Sequence, residues 1–282
     1  MSADSARTTA DRLRDHAVVP RRAHGQNFLL DPSLLTWIAD HAELGPAEVV
    51  LEVGGGVGNL STLLAERVGH LHVVEIDRGL EQPLREVLAG HDNVTLTFGD
   101  ALKLQLEALE PAPTRVVANL PYRIAAQLLI ETIERLPTVA LWLAMTQLEV
   151  AERIIAKPHT RAYGVPSVLV QLACDARIAR RVDRAVFKPR PRVDSARLRL
   201  DRTAAPSPPA LNALVRSAFA HRRKALPRSL ELALPARLGA AATDAIRERA
   251  RAALLALGLS EKARAEDLTP DQFAQLAEAL EL

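Results

Sequence analysis

The sequence predicts an α/β fold, a seven-stranded and mostly parallel sheet covered by helices, followed by a small all-helical C-terminal domain. Three observations carry this. Short runs rich in Val, Leu and Ile recur at Val49 to Val53, Leu71 to Ile76, Val94 to Phe98, Arg115 to Ala118 and Ala140 to Met145, with helical patterns between them. They are continuous rather than alternating, as strands covered on two faces require. The first run ends in a glycine cluster, Gly54-Gly55-Gly56-Val57-Gly58, that opens a helical segment. Beyond Pro206, Pro208 and Pro209 no strand-like run remains, only Ala- and Leu-rich helical spacing.

In chain order, residues 1–24 read as a flexible basic arm, with order beginning near Asn27. Asp31-Pro32 supplies an N-cap and a first-turn proline for a helix bearing Leu34, Leu35 and Ile38, which Gly45-Pro46 ends. After the five strands and their helices, Val165 to Cys174 is expected as a helix. Ala176 to Val182 and Ser195 to Leu200 are expected as two further strands in a hairpin closing the sheet. This sets a first domain at 25–200, a linker at 201–210 and a helical domain at 211–282. In the last helix, Thr269 and Gln272 form a capping box around Pro270, and Phe273, Leu276, Ala277 and Leu280 make one face.

Composition narrows the class. At 282 residues the chain is long enough to bury about 70–75% of its unfolded surface without covalent or metal staples. A single cysteine, Cys174, excludes an internal disulfide and a cysteine zinc cluster, and fits a reducing cytosol. No run of 18 apolar residues lacks a charge, so a membrane span is not expected. Net charge is only +2, yet between Arg177 and Arg199 nine basic residues stand against Asp183 and Asp194, and a second basic knot lies at Arg222, Arg223, Lys224 and Arg228. A single run of this kind reads equally well as a solvated face. Two runs in a chain otherwise slightly acidic point to a polyanion partner.

The strand tips carry the chemistry. Glycines at a strand-to-helix turn admit a ligand close to the backbone, with the helix amides facing it. Asn59 stands where the dinucleotide fingerprint would place its third glycine. Glu75, at the tip of the second strand, is placed to accept the hydroxyls of a ribose, as in NAD and S-adenosylmethionine sites alike. Asp100, at the third tip, is able to accept from an adenine amine, although in isolation it reads as a helix N-cap. The fourth strand ends in Asn119-Leu120-Pro121-Tyr122. An amide oxygen from Asn119 and the backbone oxygen of Leu120 suit the two hydrogens of an aromatic amine as it becomes tetrahedral. Pro121 stiffens the bend, and Tyr122 offers a face to an extracted base.

At these residues the chain resembles the class I, S-adenosylmethionine-dependent methyltransferases of the exocyclic amine of adenine. Gly25-Gln26-Asn27-Phe28-Leu29, Glu52-Val53-Gly54, Asn119 to Tyr122, Ala162-Tyr163-Gly164, Phe187 to Ala196 and Phe219 to Lys224 together resemble the KsgA-type small-subunit rRNA adenine dimethyltransferases, over nearly the whole chain from about residue 20. The resemblance implies cofactor contacts at Asn27, Leu29, Gly54, Gly56, Glu75, Ile76, Asp100, Ala101 and Asn119. It implies catalytic roles for Asn119, Leu120, Pro121 and Tyr122, and Phe187 as a second aromatic wall for the adenine; from its own pattern Phe187 reads as a core residue. RNA contacts are expected at Arg190, Arg192, Arg222, Arg223 and Lys224. The implied reaction is dimethylation of two adjacent adenosines near the 3′ end of 16S rRNA, on the 30S subunit or its precursor, by a cytoplasmic monomer without a metal. Gly55 in place of the usual proline is expected to loosen the cofactor loop, and Arg123 and Ala125-Ala126 also depart from the pattern. The alternatives are an Erm-like 23S rRNA methyltransferase, a non-catalytic 30S assembly factor and, more remotely, an NAD-dependent oxidoreductase.

Overall fold

A computed structural model of the chain describes residues 8–21, 25–239 and 245–282. The described residues divide into two compact units, one within Met1–Ala151 and Arg177–Arg202, the other within Glu152–Ala176 and Thr203–Leu282.

The first unit holds helices α1 (Thr9–Asp15), α2 (Pro32–His41), α3 (Asn59–Ala65), α4 (Glu81–Leu88), α5 (Ala125–Arg135) and the start of α6 (Leu148–Ile154). Its strands are β1 (Phe28–Leu29), β2 (Val49–Val53), β3 (His70–Glu75), β4 (Val94–Phe98), β5 (Arg115–Asn119), β6 (Leu141–Gln147), all but the first three residues of β7 (Cys174–Val182), β8 (Phe187–Lys188) and β9 (Ser195–Arg202). Seven of these form one sheet in the order β4-β3-β2-β5-β6-β9-β7. β2 pairs in parallel with β3 and β5, β3 with β4, and β5 with β6, whereas β9 runs antiparallel to β6. Strand order therefore reverses between β2 and β5, and the crevice at the carboxyl ends of strands at such a switch is where open α/β sheets bind ligands.

The expected strands are all present, with small shifts at their ends. β2 and β6 are nearly wholly buried, as their unbroken apolar runs require. The edge strands differ. β4 is only half-buried, and β7 alternates toward solvent with Arg177, Arg180 and Arg181 on its exposed positions. Charges on an edge strand block pairing with another chain, so part of the first basic run has a structural use. Arg177 also pairs with Asp201 at 2.7 Å, Arg199 pairs with Asp201 and Glu43, and Arg180 lies 5.5 Å over the Trp37 ring.

Local rules explain the helix starts. Asp31 caps α2 by accepting from the amides of Ser33 and Leu34. The arm expected to be flexible is helical over α1, where Thr8 and Asp11 form a capping box and Leu13 joins the core. The Arg12 guanidinium reaches the Val57 carbonyl at 3.4 Å. His24, part of the same expected arm, lies outside the described residues.

The second unit is helical: α7 (Val165–Gln171), α8 (Pro209–Ala218), α9 (Leu226–Ala233), α10 (Pro235–Leu238), α11 (Ile246–Ala256) and α12 (Pro270–Ala279). The capping box of Thr269 and Gln272 starts α12. Residues 152–176, expected within the first domain, group here for identifiable reasons. Tyr163 is buried, donates to the Leu268 carbonyl at 2.8 Å and meets the Phe219 ring edge-on. The His159 amide donates to Glu266 at 2.8 Å. The expected linker is shorter than 201–210, since Asp201 and Arg202 belong to β9 and α8 begins at Pro209.

Candidate functional site

The site lies at the switch point. β2 turns into α3 through Gly54, Gly56 and Gly58, all three with positive φ, a conformation that side chains oppose. At Gly54 the constraint is this backbone conformation, since a Cβ would meet the Asn119 carbonyl oxygen at an ordinary contact distance of 3.5 Å; that distance also shows that the glycine loop and the bend after β5 run side by side. Gly55 has no room to spare, because a Cβ would fall 2.5 Å from Val73 Cγ1 and 3.2 Å from Leu84 Cδ2. A side chain at this position would require Val73 of β3 or Leu84 of α4 to shift.

A cavity of about 410 Å³ opens here, within the range of small-ligand sites. Each of Asn27, Leu29, Gly54, Gly56, Glu75, Ile76, Asp100, Ala101 and Asn119 lines it, as do Leu120, Pro121 and Tyr122. Phe187 does not. It is 3% exposed, pairs with Leu29 across the β1–β8 ladder and belongs to the hydrophobic core. Its burial is what its apolar pattern leads one to expect, and Phe28 and Tyr122 are aromatic residues that line the cavity.

Glu75 is buried at the end of β3 and accepts from the amides of Gly56 at 3.0 Å and Asp77 at 2.9 Å. Burial raises its carboxyl above the ordinary value, while those two amides work against the rise. Each oxygen keeps a further acceptor position for a ligand hydroxyl. Next to it Ile76 is 46% exposed, an apolar surface for a flat heterocycle. The Asp100 carboxylate accepts from the Leu102 amide at 3.1 Å, a turn rather than a helix cap.

Asn119 Nδ2 donates to the Asn27 backbone carbonyl at 3.2 Å. Only the amide nitrogen can donate to a carbonyl, so Oδ1 is left as the acceptor. Leu120 is held by its amide to Met145, at 3.1 Å, and Tyr122 Oη lies 2.5 Å from Ser195 Oγ, which fixes the ring. Burial raises the Tyr122 phenol above its usual range, so it stays protonated at neutral pH. Gln26 ties the segment before Asn27 to the turn after Glu75, accepting from the Arg21 amide and donating to Asp77.

Two cavity residues were not singled out for a role by sequence reasoning. Glu52 is buried with Oε2 lacking any partner, and burial pushes its carboxyl up to about 8, with the neighbouring Glu75 adding to the rise. Arg197 is fully buried and lines the same cavity. An acid inside an apolar run, Val50-Leu51-Glu52-Val53, was the available signal for the first.

Of the expected RNA contacts, Arg190, Arg192, Arg223 and Lys224 are exposed. Arg222 is held by Glu266 at 2.7 Å and by the Thr160 carbonyl at 3.3 Å. The fold brings Glu266 to Arg222 from 44 positions away, whereas Arg228 pairs with Glu231 within α9.

A switch-point cavity at the tips of β2, β3, β4 and β5, in a seven-stranded sheet whose antiparallel β9 lies between β6 and β7, defines a class I methyltransferase. The ribosomal RNA adenine dimethylase family matches residues 19–281, and the chain belongs to that family. It is 40% identical over 259 residues to the ribosomal RNA small subunit methyltransferase A of Rubrobacter xylanophilus, covering 91% of this chain and 94% of that one. Identity to the protein of the same name from Acidothermus cellulolyticus is 40% over 275 residues, covering 94% and 91%. Among solved structures, a dimethyladenosine transferase from Plasmodium falciparum aligns with TM-score 0.75 at 25% identity over 89% of this chain and 96% of that one. The 23S rRNA methyltransferase ErmE aligns with TM-score 0.64 at 32% identity, over 91% and 100%.

Proposed function

We propose that the chain transfers methyl groups from S-adenosylmethionine to N6 of two adjacent adenosines in the 3′-terminal hairpin of 16S rRNA, during small-subunit assembly in the cytoplasm, as a monomer. The observation that carries this reading is the approach of Gly54 to the Asn119 carbonyl, which puts the cofactor loop and the amine-accepting bend around one cavity.

The donor set fits the cofactor: Glu75 for a ribose, Ile76 and Ala101 for the faces of adenine, Asp100 for its amine, and the positive-φ glycines Gly54 and Gly56 on the cavity wall. S-adenosylmethionine supplies an electrophilic methyl group when bound. The chain's own residues do the rest. Asn119 Oδ1 and the Leu120 carbonyl accept the hydrogens of the target amine, drawing its lone pair out of conjugation and toward the methyl. Tyr122, clamped by Ser195, stacks on the extracted base, a contact worth about 1–3 kcal/mol against the cost of unstacking. A neutral amide is enough for this role, because the nitrogen becomes acidic once alkylated and loses its proton to water. Arg190, Arg192, Arg223 and Lys224 are the expected phosphate contacts, and Arg222 is the least available of that set.

Mass spectrometry of 16S and 23S rRNA from cells lacking the gene tests this. Loss of paired dimethyladenosines from 16S rRNA supports the reading, and loss from 23S rRNA would replace it with the Erm-like one.

A further inference from the structure

Arg197 is a basic residue that the mechanism above leaves unused. It sits on β9 opposite Met145, two residues beyond the Ser195 that holds Tyr122. Its side chain is fully buried and lines the cavity. Nη1 donates to the carbonyl of Ala118, the residue before Asn119, at 3.4 Å, while Nε and Nη2 have no partner. Buried donors are nearly always satisfied, and a buried guanidinium without a counter-charge is a costly arrangement. Missing acceptors at a cavity wall are supplied by what the cavity binds. The place of Arg197 says which ligand. Its charge faces the Tyr122 phenol, and its one bond is to the strand end that carries Asn119, so it stands at the amine-accepting side rather than by Glu75 and Asp100.

We propose that Arg197 is a substrate-binding residue of the methyl-transfer site, whose free N–H donors take a ring-nitrogen lone pair flanking the exocyclic amine of the target adenine, N1 or N7. This rests on the reading of Asn119 and Tyr122 given above. The division of labour is chemically coherent. Asn119 Oδ1 and the Leu120 carbonyl accept from the amine, and Arg197 donates to the acceptor beside it, so the base is read by both polarities and its rotation in the pocket is fixed. Replacing the arginine by an apolar residue of similar length removes an uncompensated buried charge, so Arg197→Met is expected to fold. Arg197→Gln, which retains donors, is the second variant.

The test is a mutant-by-substrate cycle with an RNA hairpin carrying adenosine, 1-deazaadenosine or 7-deazaadenosine at the target position. With the native enzyme, one of the two deaza substitutions should lower kcat/KM about 10- to 100-fold, as for loss of a charge-assisted hydrogen bond. With Arg197→Met the same substitution should have little further effect, and Arg197→Gln should fall between. Cofactor affinity, measured by calorimetry, should be unchanged. If both deaza penalties were as large in Arg197→Met as in the native enzyme, Arg197 would not touch the base. A large loss of cofactor affinity without coupling to either substitution would also overturn the proposal, assigning the guanidinium to the cofactor's carboxylate. An active Asn119→Ala would instead remove the reading on which the proposal rests, a separate result.

Discussion

The Asn119 side-chain amide donates to the backbone carbonyl of Asn27, 92 positions earlier in the chain. That contact commits Nδ2 as a donor and leaves Oδ1 as the acceptor proposed for the target amine, and it brings the segment before β1 to the cavity. Asn119→Ala should lower kcat at least about 100-fold, the usual cost of a lost transition-state contact, with cofactor affinity reduced less than about tenfold. Calorimetry beside single-turnover methylation separates the two. Equal activity would end the assigned role.

Glu75→Ala acts on the other half of the site. It removes the carboxylate proposed to accept the ribose hydroxyls and leaves the Gly56 and Asp77 amides without their acceptor. Cofactor binding should become undetectable, and stability should fall by about 1–3 kcal/mol in urea unfolding. Near-native cofactor affinity in the variant would place the ribose elsewhere.

Glu52 gives the chain a pH dependence of defined sign. The folded protein keeps its proton up to about 8, whereas the unfolded chain releases it near the ordinary carboxyl value. Stability from this group is therefore complete below the ordinary value and is lost as pH rises toward 8. Glu52→Gln, always neutral, should match the native protein at pH 4.5 and exceed it by roughly 1–3 kcal/mol at pH 8.5. Unfolding curves for the two proteins across that window would reveal a parallel pH response if Glu52 were ionised when folded.

The basic residues should sort into two kinds. Alanine at Arg190, Arg192, Arg223 or Lys224 should reduce the slope of log affinity for RNA against log salt by about one unit each. Arg177→Ala and Arg199→Ala should instead cost stability and leave the slope unchanged, since both pair with Asp201. Fluorescence titrations at several salt concentrations make the distinction.

What the sequence disclosed, and what it hid, follows from how local each feature is. β2 and the cap of α2 were legible because an unbroken apolar run and an Asp-Pro pair state their structure within a few residues. The residues that gather around the cavity at the switch point were legible because glycine and acids recur at successive strand tips. The second unit's claim on residues 152–176 was not, since Tyr163 meets its partner Leu268 105 positions later. The pairing of Arg222 with Glu266 was hidden for the same reason. Phe187 shows a resemblance and a residue pattern in competition: the apolar pattern predicted the burial found. Arg197 sits in an alternating run of charge and leucine that reads as a solvated strand face, yet β9 lies inside the sheet and buries it.

Methyl transfer at Asn119 can be followed in a reconstituted reaction. Purified protein is incubated with isotopically labelled S-adenosylmethionine and small subunits lacking the modification, and the RNA is digested and sequenced by mass spectrometry. Label is expected as dimethyladenosine on two neighbouring adenosines of the 3′-terminal hairpin, and is expected to be absent when Asn119→Ala replaces the native enzyme. Label on another base, or equal labelling by Asn119→Ala, would contradict the proposed function.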